Sequence, residues 1–136
     1  MCGGVFFRHN NEEYRYYFPN PAALLPVRQR DGQAVLLPWG RRQQQQGFLP
    51  LGGWARLESI YAGRWERFFP TPVKLPVSQF MEKDIEGTSH WFDVTSGKWI
   101  QGLVARNNYE QRVYVVTVEP QDEEAVHERW PRILAG

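Results

Sequence analysis

Cys2 is the only cysteine among the 136 residues, and its place behind the initiator gives it chemistry that no internal cysteine has. Met1 precedes a small side chain, the kind of terminus that methionine aminopeptidases trim. Trimming would leave Cys2 with a free α-amine beside its thiol. Such a 1,2-aminothiol condenses with an aldehyde, first through nitrogen as a Schiff base, then through sulfur to close a five-membered thiazolidine. It is equally able to act as an N-terminal nucleophile toward an acyl group. Unperturbed, the amine titrates at about 7.7–8.0 and the thiol at about 8.5, so both are partly reactive near neutrality. Taken alone, a lone cysteine is more often a small buried hydrophobe.

The elements that must hold this end come from a chain of single-domain length, so residues 1–136 are expected to form one domain. Hydrophobic residues at 42% suffice for one core. The formal charge of +1 excludes a strongly basic body but not a local basic groove. One cysteine forms no internal disulfide, and no Cys/His spacing suggests a metal site. No metal or cofactor is therefore expected. With no signal-like start and no apolar run of about 18 residues, a soluble cytoplasmic protein without a membrane partner is expected.

Gly4 to Phe7 and Tyr14 to Phe18 read as strands joined by a loop from His9 to Glu13. Pro19, Pro21 and Pro26 keep the next stretch extended. Asp31-Gly32 is a turn leading into a strand from Ala34 to Trp39. Gly40 to Gly53 lacks periodicity and reads as a long loop. Leu57, Ile60, Tyr61, Trp65 and Phe68 share a helical face, so one helix is expected up to Pro70. Strands follow at Val73 to Phe80, Trp91 to Val94, Trp99 to Val104 and Val113 to Val118. The last is apolar on both faces and should be central. Thr95 to Lys98 reads as a hairpin turn, and Asp122 to His127 as a short helix. The fold class expected is α+β: a mainly antiparallel, barrel-like β core with one main helix.

In this order the chain resembles a divergent, compact member of the SRAP family, the SOS-response-associated peptidases or abasic-site processing proteins. Met1-Cys2-Gly3 is similar to the family's start, and Asn20-Pro21-Ala22 with Leu25-Pro26-Val27-Arg28 to its early segment. Pro38-Trp39-Gly40 resembles its Trp-Gly element, and Ala55-Arg56-Leu57-Glu58-Ser59 its helix-start box. Leu75-Pro76-Val77 through Phe80-Met81-Glu82 resembles the segment carrying its glutamate. His127-Glu128-Arg129-Trp130-Pro131-Arg132-Ile133-Leu134 resembles its closing box. The departures are Trp54 in place of the family's Asn, Gly4 in place of an Arg, and Met81 and Lys83 in place of aromatics.

The resemblance implies an SRAP-like fold and a protein that crosslinks Cys2, as a thiazolidine, to the ring-opened aldehyde of an abasic site in single-stranded DNA. It casts Cys2, Glu82 and His127 as the catalytic set, Glu82 and His127 moving protons. Otherwise Glu82 reads as a surface carboxylate paired with Lys83, and His127 as a helix-end histidine. His9 and His90 have weaker claims. Arg56 is a candidate grip for a DNA phosphate or a clamp on the Cys2 loop, with Glu58 either its structural partner or a first-turn helix carboxylate favoured by the macrodipole. Arg41 and Arg42 could line a groove where Trp39 or Trp54 stacks on bases. Otherwise such charges are solvated and the tryptophans are core. Two alternatives stay open: a thiol autopeptidase or hydrolase using Cys2, and a non-covalent single-strand binder that has lost the chemistry.

Overall fold

The structure is a computed structural model and describes residues 2–120 and 129–136. Strands β1 (Gly4–His9) and β2 (Glu12–Tyr17) form a hairpin whose register pairs His9 with Glu12. Its loop is only two residues long. Asn10 (φ 52°) and Asn11 (φ 67°) both adopt the left-handed conformation, the turn geometry that matches strand twist. A second hairpin joins β3 (Leu24–Arg28) to β4 (Ala34–Pro38) around Asp31-Gly32.

After the long loop come β5 (Trp54–Arg56) and a helix, α1 (Leu57–Tyr61), of five residues. The long helix expected from the periodicity is thus cut short. Gly63 takes φ +78°, which terminates α1, and the chain continues as a 3₁₀ turn at Glu66–Phe68. The apolar spacing still works for packing. Leu57, Ile60, Trp65 and Phe68 gather on Leu49, Leu103, Tyr114 and Val116, with Trp65 edge-on to Tyr114 at 4.9 Å. Tyr61, assigned to the same face, is instead 75% exposed.

The single strand expected at Val73 to Phe80 is two strands, β6 (Thr71–Leu75) and β7 (Gln79–Lys83). Pro76 lacks an N–H, and the Val77 N–H turns back to the Leu75 carbonyl at 2.9 Å, so the chain changes sheets there. β8 (Ser89–Asp93), β9 (Lys98–Arg106), β10 (Gln111–Val118), β11 (Trp130–Pro131) and β12 (Ile133–Ala135) complete the described strands. Thr95 to Lys98 does form a turn, closed by the Lys98 N–H on the Thr95 carbonyl. It is not a hairpin, because β8 and β9 lie in different sheets. The helix expected at Asp122 to His127 lies outside the described residues.

One sheet runs β2-β1-β7-β8. A second runs β11-β10-β9-β12, with β5 parallel to β10 and β6 beside β9. The β3–β4 hairpin is a third, two-stranded piece. The described strands therefore make open sheets, mostly antiparallel, and no closed barrel; with α1 they form an α+β-like arrangement. β10 is buried on both faces. Val113 and Val115 enter one core with Val5, Phe7, Leu25, Phe80 and Ile100, while Tyr114 and Val116 enter the other. That two-sided burial is what its unbroken apolar run demands. Among the described residues no helix is long and apolar enough to cross a membrane.

Candidate active site at the N-terminal strand

The N-terminal segment is clamped to β7. The Gly3 N–H donates to the Met81 carbonyl at 2.8 Å, and Gly4 pairs with Met81 across the ladder. On the other side the Phe18 N–H donates to the Gly3 carbonyl at 3.1 Å. Cys2 and Glu82 are both fully buried in this corner, each with 0% exposure. Strand alternation turns Glu82 to the same face as Phe80, which is the core side.

The electrostatics of the pair are reciprocal. Burial pushes the Cys2 thiol far above its ordinary range, and the neighbouring charge of Glu82 pushes it further. Its Sγ lies 3.5 Å from the Gly4 carbonyl, which accepts a weak hydrogen bond. Burial also raises the Glu82 carboxyl to about 7, while the positive charge of the N-terminus acts the other way. The result is a protonated thiol beside a carboxyl poised to gain or lose a proton at neutrality.

Trp54, on β5, holds the backbone of the cysteine itself. Its indole N–H donates to the Cys2 carbonyl at 2.6 Å. Behind it, the Phe18 ring lies 4.8 Å from Trp54 and 5.5 Å from Trp39. Gly53 is required here, since a Cβ would come within 2.6 Å of Phe18 and 2.7 Å of the Trp39 Nε1. Arg42 closes the stack. Its guanidinium lies 3.9 Å over Phe18, Nε donating to the Phe18 carbonyl and Nη1 to the Trp39 carbonyl. Beside this corner opens a cleft of about 610 Å³ lined by Gly3, Tyr17, Phe18, Trp54, Met81 and Lys83, among others.

Trp54→Phe keeps an aromatic ring beside Phe18 but removes the indole N–H and part of the ring volume. Losing this part-buried hydrogen bond together with that packing should cost about 1–2 kcal/mol. Chemical unfolding of the variant checks this. An unchanged midpoint would mean that the contact holds nothing in place.

Of the residues anticipated from sequence, Cys2 and Glu82 are brought together, and Trp54 joins them. His127 lies outside the described residues. Trp39 does not offer a stacking face: it is fully buried, its indole N–H donating to the Gly53 carbonyl at 3.0 Å. Arg41 does not track a groove either. Its Nε and Nη1 donate to the Leu49 and Gln45 carbonyls at 2.7 and 2.8 Å and so staple the long loop to itself. Arg42, also placed on a groove by sequence, is buried instead. Arg56 is exposed, at the junction of β5 and α1. His90 bonds Asp84 at 2.7 Å on the solvent side of the β7–β8 turn. Phe18 was read only as the end of a strand, and its place in the site is visible only once β5 lies beside the N-terminal segment.

Glu58 pairs not with Arg56 but with Arg129, which is 4% exposed and donates to both carboxylate oxygens at 3.0 and 2.9 Å. Arg129 also donates to the Thr117 hydroxyl and carbonyl. The arginine holds the Glu58 carboxyl down to about 2. That contribution is therefore present above about pH 4.5 and fades as pH falls toward 2, and it is weakened because the Glu58 side chain is 56% exposed. Removing the two partners should not be equivalent. Glu58→Ala strands a buried guanidinium and should cost about 2 kcal/mol, whereas Arg129→Met removes the charge with it and should cost less. Urea midpoints of the two variants at neutral pH test the asymmetry, which equal losses would contradict.

In comparisons with known proteins, no family model matches this chain and no curated protein matches it.

Proposed function

We propose that this chain processes abasic sites in the manner of the SRAP proteins it resembles, crosslinking single-stranded DNA through Cys2 once Met1 is removed. The observation that carries the reading is the burial of Cys2 and Glu82 in one corner, the two positions that the ordered motifs single out. The chemistry follows from their states. Glu82, with its carboxyl near 7, accepts a proton from the α-ammonium of the processed cysteine and frees the amine to attack the sugar's C1′. The carbinolamine hydroxyl takes a proton and leaves as water, giving the imine. Sulfur then bonds to the imine carbon as its proton passes to nitrogen, and one water is lost overall. Trp54 holds the Cys2 carbonyl and so limits the positions that the amine and thiol can take. The adjoining cleft is the place for the opened sugar, and the family's fold and its damage-response role are part of the same reading.

A second reading draws on the same corner. The positive charge of the N-terminus acts on Glu82, so this carboxyl is also suited to assist self-removal of Met1, with Cys2 as the nucleophile. Mass spectrometry separates the two steps: Met1 retained only in Glu82→Gln, in a host unable to trim it, supports self-processing.

The main test uses protein carrying a removable leader. Cleavage that exposes Cys2 should switch on a denaturation-stable adduct with single-stranded DNA bearing one abasic site, and intact DNA should give none. An adduct formed equally well before cleavage would overturn the proposal.

A further inference from the structure

A cleft larger than the one beside Cys2 lies elsewhere in the described structure. A cleft of about 1090 Å³ opens between the β3–β4 hairpin and the β6–β9–β12 side of the second sheet, sharing no lining residue with the first. Its floor is apolar, with Val35 and Leu134 each 37% exposed. Its walls carry Arg28, Arg30, Lys74, Arg106 and Arg132, and none of the described residues lining it is Asp or Glu. The whole chain has a formal charge of only +1, so this is a local concentration of positive charge.

Four of these cations are oriented by ring faces or oxygen acceptors rather than by Asp or Glu side chains. Arg28 and Lys74 flank the Trp99 ring at 4.8 and 4.3 Å, and the Lys74 ammonium donates to the Gly136 oxygen at 3.0 Å. Arg132 donates to the Gln101 side-chain oxygen. Arg106 lies 5.8 Å over Phe69. Among the described residues no Asp or Glu side chain pairs with any of the five. Asp31, in the hairpin turn next to Arg30, spends one carboxylate oxygen on the Gln33 N–H.

We propose that this cleft is a binding site for a linear phosphate chain, separate from the Cys2 corner and independent of the function assigned there. The five charges come from five different segments: β3, the β3–β4 turn, β6, β9 and the link between β11 and β12. A ligand with one anionic centre satisfies one or two of them. An anion charged at every repeat satisfies several of them at once. Four of the five are arginines, whose planar fork grips tetrahedral phosphate oxygens two at a time. Condensed phosphate and the phosphodiester backbone of an intact nucleic acid share this chemistry.

The probes are inorganic tripolyphosphate and an undamaged 15-nucleotide oligothymidylate, titrated against the full chain. Arg30 and Arg106 are exposed, so Arg30→Glu with Arg106→Glu should leave the thermal midpoint in place. At least one probe should bind wild type and Cys2→Ser alike, and the double reversal should weaken that binding at least 30-fold. With the oligonucleotide, the log–log salt slope should flatten by about 1.4, two phosphate contacts at about 0.7 each. Binding of tripolyphosphate alone assigns condensed phosphate; binding of the oligonucleotide alone, or competition between the two, assigns a phosphodiester backbone. Both support the site. Should the double reversal misfold, the Arg30→Gln/Arg106→Gln pair gives the same reading at smaller amplitude. Failure of both probes to bind, affinity unmoved by these substitutions, or equal binding of polyglutamate of matched charge overturns the proposal.

Discussion

Glu82→Gln should make the protein more stable and nearly inactive at once. Glu82 holds its proton more tightly in the folded chain, where its carboxyl is raised from 4.5 to about 7, than in the unfolded one. Native protein therefore carries the extra proton between about pH 4.5 and 7. Stability is full below that window and falls as pH rises through it. The shift corresponds to about 3 kcal/mol by pH 8, at about 1.4 kcal/mol per unit. Glutamine has no charge to bury, so the variant should escape this loss. Its thermal midpoint at pH 8 should exceed wild type by roughly 5–10 °C, with little difference at pH 4.5. Comparing the two proteins at both pH values cancels the other titrating groups.

The same substitution removes the proton carrier proposed for adduct formation. The rate should drop about 10²–10⁴-fold, the usual worth of a positioned acid or base. The wild-type inflection near pH 7 should disappear with it. Stability gained where activity is lost is the signature of a group kept buried for its chemistry. Parallel pH profiles of stability in the two proteins would falsify the premise that burial holds this carboxyl up.

What the sequence showed and what it hid divide along one physical line. Strand positions were legible because alternation and turn residues act locally: Asp31-Gly32, and Val113 to Val118 buried on both faces, are examples. Partnerships between distant segments were not. Val73 to Phe80 looks like one apolar run, and only Pro76 hints that its halves serve different sheets. Glu58 finds Arg129 from 71 residues away, and Trp54 finds Cys2 from 52, and no local pattern announces either. The cysteine and the glutamate were named through ordered motifs rather than through spacing. Trp39, Arg41 and Arg42 were misjudged as groove residues for a related reason. Trp39-Gly40-Arg41 sits at the mouth of a loop, and in sequence a residue that staples a loop looks like one that faces a ligand. The cleft lined by Arg28, Arg30, Lys74, Arg106 and Arg132 draws its lining from segments that no single motif spans.

Cys2→Ser separates the two bonds of the proposed adduct. Serine keeps the α-amine after Met1 is removed, so the imine with the abasic aldehyde can still form. The hydroxyl is a far weaker nucleophile than the thiol, so the ring does not close and the imine hydrolyses. Adduct surviving denaturation should fall at least 10³-fold, while borohydride added during the reaction should trap a bond of comparable yield to wild type. The folded chain constrains which outcome is reachable. The Cys2 carbonyl is held by Trp54 and the thiol is buried beside Glu82, so serine enters a site that already fits a small polar atom. Loss of the borohydride-trapped species as well would place the first attack on sulfur rather than nitrogen. Survival of the denaturation-stable adduct in Cys2→Ser would move the crosslink to another residue altogether, leaving the buried thiol as core.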